Sequence, residues 1–198
     1  LTNKILYIHG MGGDVTEAQR FEENCPNYDI MGVDYNEYLP WVVAKKIRAY
    51  YDEVKDDPVA IIANSIGAYF SMLALQDQSL QQALFISPLL DMEQYILSKM
   101  QQAGITENEL QAKGEIETDR KEILSWQYLQ YVREHPLDWK VPTEILYGEK
   151  DDRIPLVTVK KFVKEHRAGL TIMPEGEHRF HTRVQLNFLN EWMKKVIK

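Results

Sequence analysis

The sequence has little sulfur, no excess of positive charge and no long apolar run. A single cysteine, Cys25, rules out an internal disulfide and a thiol-based zinc site. Ahead of Pro26 it reads as a free thiol near the surface. Lys and Arg number 23 against 30 Asp and Glu, a formal net charge of −7. An acidic surface repels phosphate backbones, which disfavours nucleic acid, and none is expected as a partner. No apolar run approaches the length of a bilayer span, and the opening "KILYIHG" reads as a strand and not as a signal peptide. The expectation is a cytoplasmic protein without a membrane span. Internal repeats and low-complexity segments are also missing.

What remains is globular. The chain of 198 residues, 44% hydrophobic and 27% charged, is long enough for one domain with a proper core. Short apolar runs alternate with longer helical patterns. The strand candidates are 4–8, 29–33, 59–63, 83–87, 143–147 and 170–173. They are nearly continuous in apolar residues, as suits strands buried on both faces of a parallel sheet. Helices are expected at 39–55, with Val43, Ile47, Tyr50 and Val54 as its stripe, and at 66–76, apolar almost all round. Two more are expected at 155–166, and at 181–197 with a stripe of Val184, Phe188, Trp192 and Val196. The alternation predicts an open α/β sheet of about six strands, mostly parallel and flanked by helices. Residues 89–140 break the rhythm: they read as helices at about 91–102, 106–112 and 119–134, too long for a plain crossover.

The first strand ends in "YIHGMGGD". As a dinucleotide loop, Gly10 and Gly12 fit and Asp34 ends the second strand, but Val15 takes the place of the third glycine. As an oxyanion loop of the H-G-x-G type, His9, Gly10, Met11 and Gly12 fit without a gap, the glycines freeing the backbone to aim an N–H at developing negative charge. A merely tight turn needs fewer glycines.

The third strand runs into "ANSIG", 63–67. A sharp strand-to-helix turn carrying a nucleophile needs small residues two before and two after the serine. Ala63 and Gly67 provide them, although the usual pattern has glycine first. Ser65 then sits at the N-terminus of the next helix, where unpaired N–H groups favour an anion. It can also be read as an ordinary helix N-cap. Two further pieces follow in order at strand ends: "GEKDDRIP" after the fifth strand, with Asp151 and Asp152, and "EGEHRFH" after the sixth, with His178. A carboxylate, a histidine and a serine in the order Ser, Asp, His is a nucleophilic-catalysis arrangement. His178-x-x-His181 also has the spacing of a metal clip, but no third ligand accompanies it.

Together "HGMGG", "ANSIG", "GEKDDRIP" and "EGEHRF" resemble the α/β-hydrolase superfamily over nearly the whole chain, and in particular its small bacterial serine esterase-like members. The resemblance implies an α/β-hydrolase fold spanning 1–198, with a helical cap inserted at about 89–140. It implies acyl transfer by Ser65 as nucleophile, His178 as base and Asp151 as acid, with Asp152 as the fallback. The N–H groups of Met11 and Ile66 would form the oxyanion hole, supported by His9, Gly10, Gly12, Ala63 and Gly67. No cofactor and no metal is needed. The implied partner is a small-molecule acyl substrate, and the implied activity is that of a carboxylesterase; a thioesterase or acyltransferase would use the same groups. The competing class is a non-catalytic small-molecule binder on a hydrolase scaffold.

Overall fold

Apolar side chains on both faces of a strand demand cover on both faces, and the chain supplies it by alternating strand and helix. In the computed structural model, which describes residues 2–198, the strands are β1 (Asn3–Ile8), β2 (Tyr28–Gly32), β3 (Val59–Asn64), β4 (Gln82–Ile86), β5 (Glu115–Glu117), β6 (Ile123–Ser125), β7 (Thr143–Gly148) and β8 (Gly169–Met173). The helices are α1 (Pro40–Val54), α2 (Ile66–Leu75), α3 (Met92–Ala103), α4 (Glu107–Lys113), α5 (Trp126–Glu134), α6 (Leu156–His166) and α7 (Arg183–Val196), with a 3-10 helix at Val15–Asn24. Two compact units result. One comprises the residues up to Leu90 together with Asp138–Lys198, the other Asp91–Leu137. Among the described residues no helix is long and apolar enough to cross a membrane.

The first unit carries a six-stranded sheet in the order β2-β1-β3-β4-β7-β8. Every neighbouring pair in it is parallel. All six predicted strands are present, each within a residue of its expected bounds. From β1 the chain moves to one side to form β2, then returns to the other side to form β3. That reversal makes a topological switch point at the carboxyl ends of β1 and β3, the place where open α/β sheets hold ligands. One face of the sheet, with Ile5, Ile62, Leu84 and Leu146, packs with Phe21 of the 3-10 helix and Trp192 of α7.

Three details of this unit depart from the sequence reading. Cys25 is buried, not near the surface. Its N–H closes the 3-10 helix by donating to the carbonyls of Phe21 and Glu22, which turns the thiol into the apolar cluster around Phe21. Burial pushes this thiol up to about 11. A thiol reagent at pH 8 is expected to leave the native protein unmodified and to titrate one thiol per chain in denaturant; rapid labelling of the native state would contradict this burial. In α7 the inward residues are Gln185, Leu189, Trp192 and Met193, and Val184 is 71% exposed. The helix phase is set by a capping box between Thr182 and Gln185, and Gln185 also binds Glu177 at 3.0 Å. In α1, Tyr51 and not Tyr50 completes the buried stripe.

The second unit holds α3, α4 and α5, with the antiparallel hairpin of β5 and β6. The two earlier helices lie close to their expected positions. The expected helix at 119–134 begins only at Trp126. Gly114 ends α4 at positive φ, the alternating Glu115-Ile116-Glu117 runs extended, and Ser125 caps α5 by accepting from Tyr128 N–H. Arg133 ties the three helices together, its Nε 2.7 Å from Glu93 and its two terminal nitrogens 2.8 and 2.7 Å from Glu107.

Candidate active site

Ser65 stands between β3 and α2 with φ 53° and ψ −120°, in the left-handed region that L-residues avoid. Such a conformation persists only where the surroundings over-determine it. Here they do. Ser65 N–H donates to the Ile86 carbonyl at 3.0 Å, and its own carbonyl accepts from Ala68 N–H at 3.1 Å and Leu89 N–H at 3.0 Å. The backbone is therefore held by β4 and the segment after it, and the hydroxyl is spared for other work. Ser65 makes no side-chain capping bond to α2, which removes the ordinary N-cap reading. Gly67 explains why the turn must be small: a Cβ there would lie 2.4 Å from the Ile8 carbonyl oxygen and 2.7 Å from that of His9. Gly67→Ala is expected to cost about 3 kcal/mol of stability by pushing α2 off the end of β1, read as a fall in the urea midpoint; an unchanged midpoint would refute the close approach. Ala63, fully buried, pairs with Ile8 on one side and Phe85 on the other.

The hydroxyl of Ser65 lies 3.0 Å from His178 Nε2, and His178 Nδ1 lies 2.8 Å from Asp151 Oδ2. A carboxylate accepts, so the proton belongs on Nδ1 and the Nε2 lone pair faces the serine. The other carboxylate oxygen, Oδ1, accepts from the N–H groups of Arg153 and Ile154, both at 2.9 Å. The Asp151 side chain is entirely buried and that of His178 is 10% exposed. Asp152 is exposed. Tyr147 secures the loop from beneath, its hydroxyl donating to the Ile154 carbonyl at 2.6 Å. Burial, aided by the nearby Asp151, pushes that phenol up to about 12.

The loops carrying acid and histidine touch directly. Gly148 closes β7 against residues 176 and 177, where a Cβ would lie 2.5 Å and 2.4 Å from their carbonyl oxygens. Lys150 N–H donates to the Gly176 carbonyl at 2.7 Å and Glu149 N–H to the Met173 carbonyl at 3.0 Å.

Because β1 pairs with β3, with Ile8 opposite Ala63, the glycine loop after β1 arrives beside Ser65. A Cβ on Gly10 would sit 3.2 Å from the Ser65 Cβ. His9 is fully buried, stacked on Tyr35 at 4.0 Å, with Nδ1 2.7 Å from the Gly10 carbonyl oxygen and Nε2 3.0 Å from that of Tyr35. Met11 is 70% exposed at the loop tip. Ile66 opens α2, so its N–H has no carbonyl within the helix to donate to.

No protein-family model matches the chain, and no curated protein matches it by sequence. Solved structures do match. A candidate hydrolase from Agrobacterium vitis S4 superposes with a TM-score of 0.78 at 16% identity, over 100% of this chain and 88% of its own. Est1E from Butyrivibrio proteoclasticus gives 0.73 at 17% identity, over 98% and 85%. An alpha-beta serine hydrolase homologue from Coxiella burnetii gives 0.62 at 16% identity, over 100% and 85%.

The chain has the α/β-hydrolase fold.

Within this α/β-hydrolase fold, Ser65, Asp151 and His178 come from three separate loops at the carboxyl edge of the sheet, and the structure brings all three together. His181 is not among them: its Nδ1 lies 2.8 Å from the Arg179 carbonyl oxygen, and both nitrogens of His178 are engaged by Ser65 and Asp151. The two histidines therefore do not converge as a metal clip. Sequence reasoning missed Tyr35, Tyr38 and Tyr147. Each acts through its hydroxyl on a backbone group of a loop, and no spacing in the chain announces such a bond.

Proposed function

We propose that this protein is a serine hydrolase that cleaves a carboxylic ester, or a related acyl bond, of a small molecule. The observation that carries the reading is the continuous chain from Ser65 Oγ through His178 to Asp151, at 3.0 and 2.8 Å, on a serine held at φ 53°. A strained serine whose hydroxyl is denied to helix capping and offered to a histidine has the features of an activated nucleophile.

In this mechanism Ser65 Oγ bonds to the substrate carbonyl carbon while its proton passes to His178 Nε2. Asp151 stabilises the resulting imidazolium and keeps it aimed. The carbonyl oxygen becomes an oxyanion, met by the N–H groups of Met11 and Ile66; one such donor is typically worth roughly 100- to 1000-fold in rate. Collapse breaks the bond to the leaving alcohol, which departs with the proton from His178. Water then attacks the acyl-enzyme by the same route, releasing the acid and restoring Ser65. The fold supports a hydrolase as a class without deciding among its chemistries.

The test is intact mass after incubation with a fluorophosphonate probe. One adduct per chain is expected in the wild type and none in Ser65→Ala. A folded wild type that takes up no adduct would overturn the reading in favour of a non-catalytic binder.

A further inference from the structure

We propose that Tyr38 is a positioning residue that presets the oxyanion hole by clamping the glycine loop on both sides of Met11. The inference rests on the hydrolase reading above and adds to it a residue of the stretch between β2 and α1.

A peptide unit is planar and trans, so its carbonyl and its N–H point in opposite directions. The Gly10 carbonyl and the Met11 N–H belong to one unit: whatever grips the first aims the second. The Gly10 oxygen accepts from Gly13 N–H at 3.1 Å and from the Tyr38 hydroxyl at 3.4 Å, with His9 Nδ1 2.7 Å away. The same Tyr38 oxygen accepts from Gly12 N–H at 2.8 Å. Tyr38 thus spans the loop, bonded to the residue before Met11 and to the residue after it. Its bond to Gly12 also consumes that N–H, leaving Met11 N–H as the free donor of this turn.

The clamp answers a weakness of the loop. Gly12 sits at φ 77° with open space where a Cβ would stand, and Met11 is 70% exposed. On the Met11 side little packing holds this peptide, and Gly10, without a side chain, leaves its other end free to reorient. A flipped unit would present a carbonyl oxygen where the oxyanion must form, turning attraction into repulsion. Tyr38 itself is well placed to resist this. Its ring meets Tyr35 edge-on at 5.7 Å and His9 at 6.4 Å. Tyr35 in turn stacks on His9 and donates its hydroxyl to the His9 carbonyl. The three rings form a bracket beneath the loop.

Tyr38→Phe removes the hydroxyl and keeps the ring. With an activated ester such as p-nitrophenyl acetate, kcat is expected to fall roughly 10- to 100-fold while KM stays within about twofold, because the lost alignment serves the transition state. Affinity for a trifluoromethyl ketone, whose serine adduct carries the oxyanion, should fall by the same factor. The Gly12 amide should exchange with deuterium faster in the variant, while the thermal midpoint stays at the wild-type value. Ser65-dependent turnover in the wild type that Tyr38→Phe leaves unchanged, or a loss confined to KM, would overturn the clamp and leave the hydrolase reading standing. Wild-type protein without Ser65-dependent turnover would overturn the hydrolase reading, and this inference with it.

Discussion

Ser65→Ala is expected to lower ester hydrolysis by on the order of 10⁴- to 10⁶-fold, while the protein remains folded. The magnitude follows from the cooperation of the three side chains: without Oγ, the base at 3.0 Å and the acid behind it have nothing to activate. A second substitution at the same site separates chemistry from conformation. Ser65→Gly should be equally inactive but more stable than Ser65→Ala by about 1 kcal/mol, because glycine accepts φ 53° and ψ −120° without strain and alanine does not. For a chain of this size that corresponds to a thermal midpoint higher by roughly 2–4 °C. Activity assays and melting curves on the two variants decide the matter. Residual turnover near the wild-type rate would remove Ser65 from the mechanism, and equal melting points would mean that the elbow stores no strain.

Asp151→Asn should cost about 10⁴-fold in kcat, whereas Asp152→Asn should stay close to the wild-type rate. In the variant, Oδ1 can keep its bonds from Arg153 and Ile154, so the loop survives. The new amide then turns its N–H₂ toward His178 Nδ1. Two donors cannot face each other, so the imidazole takes the other tautomer and offers Ser65 a proton instead of a lone pair. Asp152, exposed at the surface, touches neither group. Steady-state kinetics on the two single variants is the check; the reverse ranking would move the acid by one residue.

The architecture was legible because its signals are local. Apolar runs such as Val59–Ala63 and Ile145–Tyr147 can be satisfied only inside a covered sheet, and the patterns between them repeat at helical spacing. The glycine loop, the turn at Ser65 and the loops of Asp151 and His178 all follow directly on strand ends, where a parallel sheet gathers its loops on one edge. Phase was less legible. In α7 the apolar Val184 faces water and the polar Gln185 faces inward, because the capping box and the bond to Glu177 outweigh the preference of one valine. The hairpin at 115–125 hid inside a helical pattern for a similar reason: a glycine stop and a serine cap divide it, and three-residue strands leave almost no period to read.

By itself, then, the sequence determined the class of fold, the order of the strands' loops and the residue types gathered at them, since each depends on side chains within a few positions of one another. The tertiary structure alone decided that Tyr38 reaches the glycine loop, that Tyr147 secures the loop of Asp151, and that Cys25 lies in the core. Such contacts join partners far apart in the chain: Ser65 and His178 are 113 positions apart, Tyr38 and Gly12 26. Only the packing of the finished sheet brings such groups within the 3 Å or so at which a hydrogen bond forms.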